Sequence, residues 1–224
     1  MHPALELLLC LILFLFLHLA VMAVCALALG VTVRQISYGV GPTLLALGKI
    51  RIKLLPLAGN VALKDTREEA LYDDDPCLDA YNFQPLWKQV ALPLSGVAVL
   101  LASALGILGP AGWDSFTAAF GQIVRGALAP LSTAQELLGE GETFARIHGF
   151  ATVFALLSLK LCAFNLLPLG GLNGGQALLA IARGGKPHVA WEEAVAKWLL
   201  LPGLAILLAW LLAFGWYAWR APGA

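Results

Sequence analysis

Charge is scarce in this sequence: Asp, Glu, Lys and Arg make up 12% of its 224 residues, against 60% hydrophobic residues. A chain this apolar has too little polar surface for a soluble domain, which leaves an integral membrane protein. It also has no excess of either sign, with 14 Lys plus Arg balancing 14 Asp plus Glu. That excludes the basic surface of a nucleic-acid binder and the solvating acidic tail. Cysteine pairs are missing as well: Cys10, Cys25, Cys77 and Cys162 share no CxxC spacing, and three of them lie in apolar runs where a thiol acts as a small hydrophobe. Neither a disulfide framework nor a structural zinc knuckle is indicated. There is no internal repeat and no low-complexity tract.

What is present is apolar length. A hydrocarbon core about 30 Å thick takes about 20 residues per helix, and four stretches qualify, at approximately 4–30, 90–108, 147–167 and 196–219. They predict an all-α membrane protein of four transmembrane helices, forming a single membrane domain over 1–224. The first stretch lacks a basic flank and a small-x-small cleavage site, and reads as a retained span rather than a signal peptide. Nine basic residues fall on one side: Arg34, Lys49, Arg51, Lys53, Lys64, Arg67, Lys88, Arg183 and Lys186. The other side has Arg125, Arg146 and Arg220. Positive-inside bias then predicts a multi-pass protein of the cell membrane with both termini outside the cytoplasm.

Between the first two spans, Lys49, Arg51 and Lys53 alternate with Ile50, Ile52 and Leu54, the period of a strand with one basic and one apolar face. With Val31, Val33 and Ile36 ahead of it, and Pro42 and Gly48 separating the runs, a small cytoplasmic or membrane-associated β-hairpin sheet is expected over 31–64. Its basic face would meet either anionic headgroups of the bilayer or a peptide. Residues 65–79 form an acidic loop that includes Asp73, Asp74 and Asp75, with no fixed ligand spacing. The 109–146 segment reads as a short external loop in which Leu131–Leu138 is weakly amphipathic.

Ionisable and polar groups at membrane depth are costly and therefore candidates for function. His18, Lys160 and the segment from Asn165 to Asn173 stand out. The latter, FNLLPLGGLNGG, reads as a helix broken by Pro168 and glycines and then restarted, and irregular backbone survives at that depth only against protein or a cavity. Lys160 either faces the cavity beside His18 and Asn173 or snorkels to the interface.

Asn165-Leu166-Leu167-Pro168 followed by Leu172-Asn173-Gly174-Gly175 resembles the NxxPxxxLDGG signature of the site-2 proteases, which are intramembrane zinc metalloproteases. Gly30-Val31 and Gly39-Val40-Gly41-Pro42 resemble the family's segment after its first span, and Leu55–Asp65 its membrane-reentrant β-hairpin. Trp87–Ala102 resembles the start of its second span, and Ala129–Leu138 the segment before its third. Together these cover most of the chain in the family's order. The resemblance implies the site-2 protease core, a bacterial inner-membrane location, and convergence of His18, Asn165 and Asn173. No stretch corresponds to the PDZ domain that many bacterial relatives carry.

The resemblance also places the family's HExxH zinc motif on His18, Leu19, Ala20, Val21 and Met22, and its third ligand on Asn173. Here Leu19 stands in for the glutamate base, Met22 for the second histidine and Asn173 for the aspartate. A thioether and a neutral amide replace donors that zinc prefers, so no intact catalytic set and no cofactor is expected. His2, His148 and His188 are not placed to converge on His18. The expected function is a catalytically inactive pseudoprotease that binds or regulates a membrane protein or transmembrane peptide within the bilayer. Its peptide contacts would come from Ile50, Ile52, Leu54, Asn165 and Pro168. The alternatives are an active zinc metalloendopeptidase with a rearranged site and a non-proteolytic scaffold or transporter.

Overall fold

The computed structural model describes residues 3–67, 77–187 and 189–220. The acidic run Asp73–Asp75, His2 and His188 lie outside them. Helix α1 (Pro3–Ala28) leads into strands β1 (Val33–Leu47) and β2 (Ile50–Leu63). Two short 3-10 turns, Cys77–Asp79 and Tyr81–Phe83, precede α2 (Leu86–Leu108). There follow α3 (Pro110–Leu128), α4 (Thr133–Ile147), α5 (Phe150–Asn165), α6 (Asn173–Ala182) and α7 (Glu192–Arg220).

Three helices, α1, α2 and α7, are long and apolar enough to cross a membrane. The third expected span is shorter than its apolar run. α5 has 16 residues, about 24 Å of helix, because the chain breaks at Leu166–Leu172 around Pro168. The 109–146 segment is not a loop but two helices. On α3 the buried residues Gly112, Phe116, Ala119, Ile123 and Gly126 follow a four-three spacing, which makes one continuous seam for a neighbouring helix. That seam packs on α5 and α7. Gly126 lies flat against the Trp210 ring, whose Nε1 donates to the Ile123 carbonyl at 3.0 Å. Asp114 and Thr117 on the exposed face of α3, with Gln122 beside the seam, dilute its hydropathy and hide it from a span search.

The core joins α1, α2, α3 and α5 through Phe14, Val97, Leu100, Phe116 and Leu159, with Ala104, Ala119, Ala155 and Ala163 letting the helices approach closely. α7 stands apart: of its side chains only Ala213 is buried.

The sheet falls within the expected 31–64 region, and its two strands are longer than the runs that suggested them. Pro42 does not separate two runs; β1 continues through it to Leu47, and the turn lies at Gly48–Lys49. β1 and β2 pair antiparallel at Val33–Tyr38 with Gly59–Leu63 and at Leu45–Leu47 with Ile50–Ile52, and where the register doubles Ile36–Tyr38 also lie beside Ile50–Ile52 in the parallel sense. Ile36, Ser37 and Tyr38 pair with Val61, Asn60 and Gly59 on one side and with Ile50, Arg51 and Ile52 on the other. Gly39 and Gly41, at φ +94° and +92°, make the bend that allows it; a Cβ on Gly39 would sit 2.7 Å from the Leu55 carbonyl oxygen. Leu57–Leu63 is therefore an edge of the sheet, and Ile52, paired with both Tyr38 and Leu45, is not.

Asp79 closes the base of this sheet. Its carboxylate accepts from Thr32 Oγ1 at 2.6 Å and from Lys64 Nζ at 2.7 Å, tying the residues that flank the two strands to the turn before α2.

Candidate functional site

A cavity of about 400 Å³ lies between α1, the Leu57–Leu63 edge, the break after α5, and α6. An open groove of about 540 Å³ along Ala190, Glu193, Lys197 and Trp198 has only the start of α7 and the residues just before it for a wall. The cavity is the built site.

Its membrane end holds the residues singled out in the sequence. His18 and Met22 are one helical turn apart on α1 and both line it. Asn173, the first residue of α6, brings its Nδ2 to within 2.8 Å of His18 Nε2 in a buried contact. Gly174 and Gly175 make this possible: a Cβ on either would overlap the Leu166 or Leu169 carbonyl, so only glycine lets α6 begin directly on the backbone that leaves α5. Asn165 lines the same cavity and donates to the Leu161 carbonyl at 2.9 Å. Leu19 is buried against the sheet, at a position where a Cβ on Gly59 would be 2.5 Å away.

The other expected residues lie elsewhere. Pro168 is exposed and turns away from the cavity, though it belongs to the break that shapes it. Ile50, Ile52 and Leu54 are on the outer part of the sheet, and Leu57–Leu63 supplies the strand that lines the cavity. Lys160 does not line the cavity. It faces α3, donating to the Ser115 carbonyl at 3.0 Å and to Gln122 Oε1 at 2.7 Å, a partner that a loop over 109–146 would not have supplied.

Do these residues suit the zinc of a site-2 protease? With the Asn173 amide donating, His18 Nε2 is the acceptor and the ring proton sits on Nδ1. The Nδ1 side is sealed, since a Cβ on Gly96 would lie 2.5 Å from it, and the Phe14 ring stacks on the imidazole at 5.7 Å. What remains around Nε2 is an amide, a thioether and an aliphatic side chain. Among the described residues no three His, Cys, Asp or Glu side chains are grouped. One imidazole without a carboxylate or a second imidazole does not fit a zinc site.

The cavity's other end is polar and was not anticipated. Arg67 clamps Asp65 through Nε at 2.9 Å and Nη2 at 2.5 Å, and gives Nη1 to Glu192 Oε1 at 2.6 Å. Glu192 also accepts from Arg183, whose second terminal nitrogen reaches Gln89 Oε1. This network joins the end of β2, the start of α2, the end of α6 and the start of α7. Burial works against the Arg67 charge, but the Asp65 hydrogen bond, with the Asp65 and Glu192 charges, holds its pKa above the usual value. Arg183 is displaced downward, first by burial and then by Arg67 beside it. Burial pushes the Tyr81 phenol up to about 12, and it donates to the Gln89 carbonyl at 2.6 Å. The sequence signal was modest: charged residues flanking apolar segments, with Gly184 and Gly185 between the last two helices. For Gly96 it was a lone glycine in an apolar span.

A helix broken at the depth of a buried histidine, with a sheet edge alongside and apolar helices around it, defines a membrane protein of intramembrane-protease architecture. The family model of peptidase family M50 matches residues 6–210, and the chain belongs to that family, the site-2 proteases. No curated protein and no solved structure matches it significantly.

Proposed function

We propose that this chain is a catalytically inactive site-2 protease that captures an extended membrane peptide without cutting it. The observation that carries the reading is the pairing of Asn173 with His18 Nε2, in a site where Leu19 replaces the base that would activate water. Leucine accepts no proton, and an amide brings no anionic charge to a metal. The binding half of the site has kept its means: an edge strand at Leu57–Leu63 offers main-chain hydrogen bonds beside a cavity that Asn165 and Gln176 also line. The reading places α5 across the membrane as a fourth span, through the 147–167 apolar run, with both termini outside the cytoplasm of a bacterial inner membrane. The partner is a transmembrane peptide or single-span protein, and no zinc is required.

Photocrosslinking a single-span peptide to the full chain in proteoliposomes tests it. Successive strand N–H groups point to opposite edges, so of prolines placed singly at Asn60 and Val61 one removes an outward donor and the other breaks the sheet. The outward variant is expected to lose capture while folding normally, and His18→Ala to retain it. Chelator-sensitive cleavage by the unmodified protein, with stoichiometric zinc, overturns the reading in favour of an active metalloendopeptidase.

A further inference from the structure

The outer part of the sheet, away from the cavity, exposes both apolar and basic side chains. Between Val33 and Leu63 there is no Asp or Glu, while Arg34, Lys49, Arg51 and Lys53 are basic. Directly paired side chains share a face. Leu45 with Ile52, Leu47 with Ile50, and Tyr38 with Ile52 therefore lie on one face, and Ala46, Arg51 and Ser37 on the other. At its inner end the first face is covered by α1: Gly59 lies against Leu19, and the Tyr38 hydroxyl donates to the Ile12 carbonyl at 2.7 Å. Further out it is bare, with Leu45 and Leu47 47% and 60% exposed and Ile50 and Ile52 45% and 38%. Lys49 gives its ammonium to the Val33 carbonyl. Arg51 and Lys53 make no hydrogen bond or ion pair among the described residues.

We propose that this outer sheet is a docking surface for anionic phospholipid, with Arg51 and Lys53 on headgroup phosphates and Leu45, Leu47, Ile50 and Ile52 among the acyl chains of the same leaflet. With Leu45, Leu47, Ile50 and Ile52 on one face, Arg51 on the other, and Leu44 and Leu55 also exposed, the sheet offers both acyl-chain and headgroup contacts, as an amphipathic helix does. A zwitterionic bilayer would cover the apolar face equally well. The unpaired cations, with no acidic residue on either strand, select negative charge. Each is worth roughly a fivefold preference near an anionic surface. Free phosphate offers the charge without the chains and serves as the competitor.

The full chain is reconstituted in nanodiscs of phosphatidylcholine alone, or of equal parts phosphatidylcholine and phosphatidylglycerol. Amide exchange over residues 43–55 is measured, together with the relative association of spin-labelled phosphatidylglycerol and phosphatidylcholine. Slower exchange in the mixed discs and a preference for phosphatidylglycerol are expected. R51Q/K53Q should lose most of that preference, whereas R125Q/K197Q, which removes equal charge from α3 and α7, should keep it. Equal exchange in the two discs, an equal loss in the control variant, or protection by inorganic phosphate in phosphatidylcholine discs overturns the assignment. Both substitutions lie outside the cavity and the Leu57–Leu63 edge, so peptide capture by R51Q/K53Q reports separately on the proposed function.

Discussion

His18, in the proposed reading a metal ligand left without its companions, is held in place by its surroundings. Asn173 occupies Nε2, Phe14 stacks on the ring, and Gly96 leaves no space behind Nδ1. Gly96→Ala forces a methyl group onto the imidazole and should cost about 1–3 kcal/mol, the usual penalty of overpacking, read as a lowered midpoint of unfolding in detergent. The same geometry makes the lost chemistry recoverable on paper. Leu19→Glu, Met22→His and Asn173→Asp together should raise zinc occupancy of the purified protein, while each alone should do little, because three ligands act as a unit. Zinc uptake by any one single variant equal to that of the triple variant would contradict this. At this scale the sequence located His18 and Asn173 on a shared site through their motif spacing. It could not place Lys160, whose partners Ser115 and Gln122 sit on a helix that reads as a loop.

Among the elements, the break between α5 and α6 was legible because Pro168 and four glycines cluster in an apolar run, and the same glycines set its tightness. Gly175→Ala should be among the most disruptive single changes in the chain, since the new methyl meets the Leu169 carbonyl, and loss of folded yield would show it. The bounds of the sheet were legible but its internal pairing was not, because the doubled register depends on bends at Gly39 and Gly41 rather than on any alternation of side chains. The sheet's base carries a pH dependence. The Asp79 carboxyl is held below the usual range, first by the Lys64 hydrogen bond and then by that of Thr32. A lowered folded pKa means its stabilisation is in full above the ordinary carboxylate range, declines as pH falls through that range and is gone below the lowered value. Amide protection at Thr32 and Lys64 should therefore begin to weaken in the ordinary carboxylate range and lose this contribution entirely at more acid pH. Asp79→Asn should remove that dependence and cost about 1.5–3 kcal/mol at neutral pH, the worth of a hydrogen bond to a charged group, because the Lys64 ammonium is buried.

For the molecule as a whole, α7 is nearly all surface, yet its first residue is bound into the protein. Arg183 is buried, with its side chain 2% exposed, and Glu192 is its carboxylate partner. Glu192→Ala leaves that charge stranded and should cost about 3–5 kcal/mol, whereas Glu193→Ala, whose pair with Lys197 is exposed, should cost less than about 1 kcal/mol. Chemical unfolding of the two variants side by side decides it, and equal losses would mean that the network does not hold α7. Composition disclosed the membrane class and motif order disclosed the core. This long-range clasp between residues 67, 183 and 192 was beyond sequence, since nothing in their spacing marks them as neighbours. The Gly48–Lys49 turn is fastened on one side only. Ile36 N–H donates to the Lys49 carbonyl at 2.8 Å and Lys49 Nζ to that of Val33, while nothing lies within 4 Å of a Cβ on Gly48. A short epitope spliced in at Gly48 would leave through that open side, so antibody access in intact and in opened vesicles would reveal which compartment the hairpin inhabits, and with it the sidedness of every span.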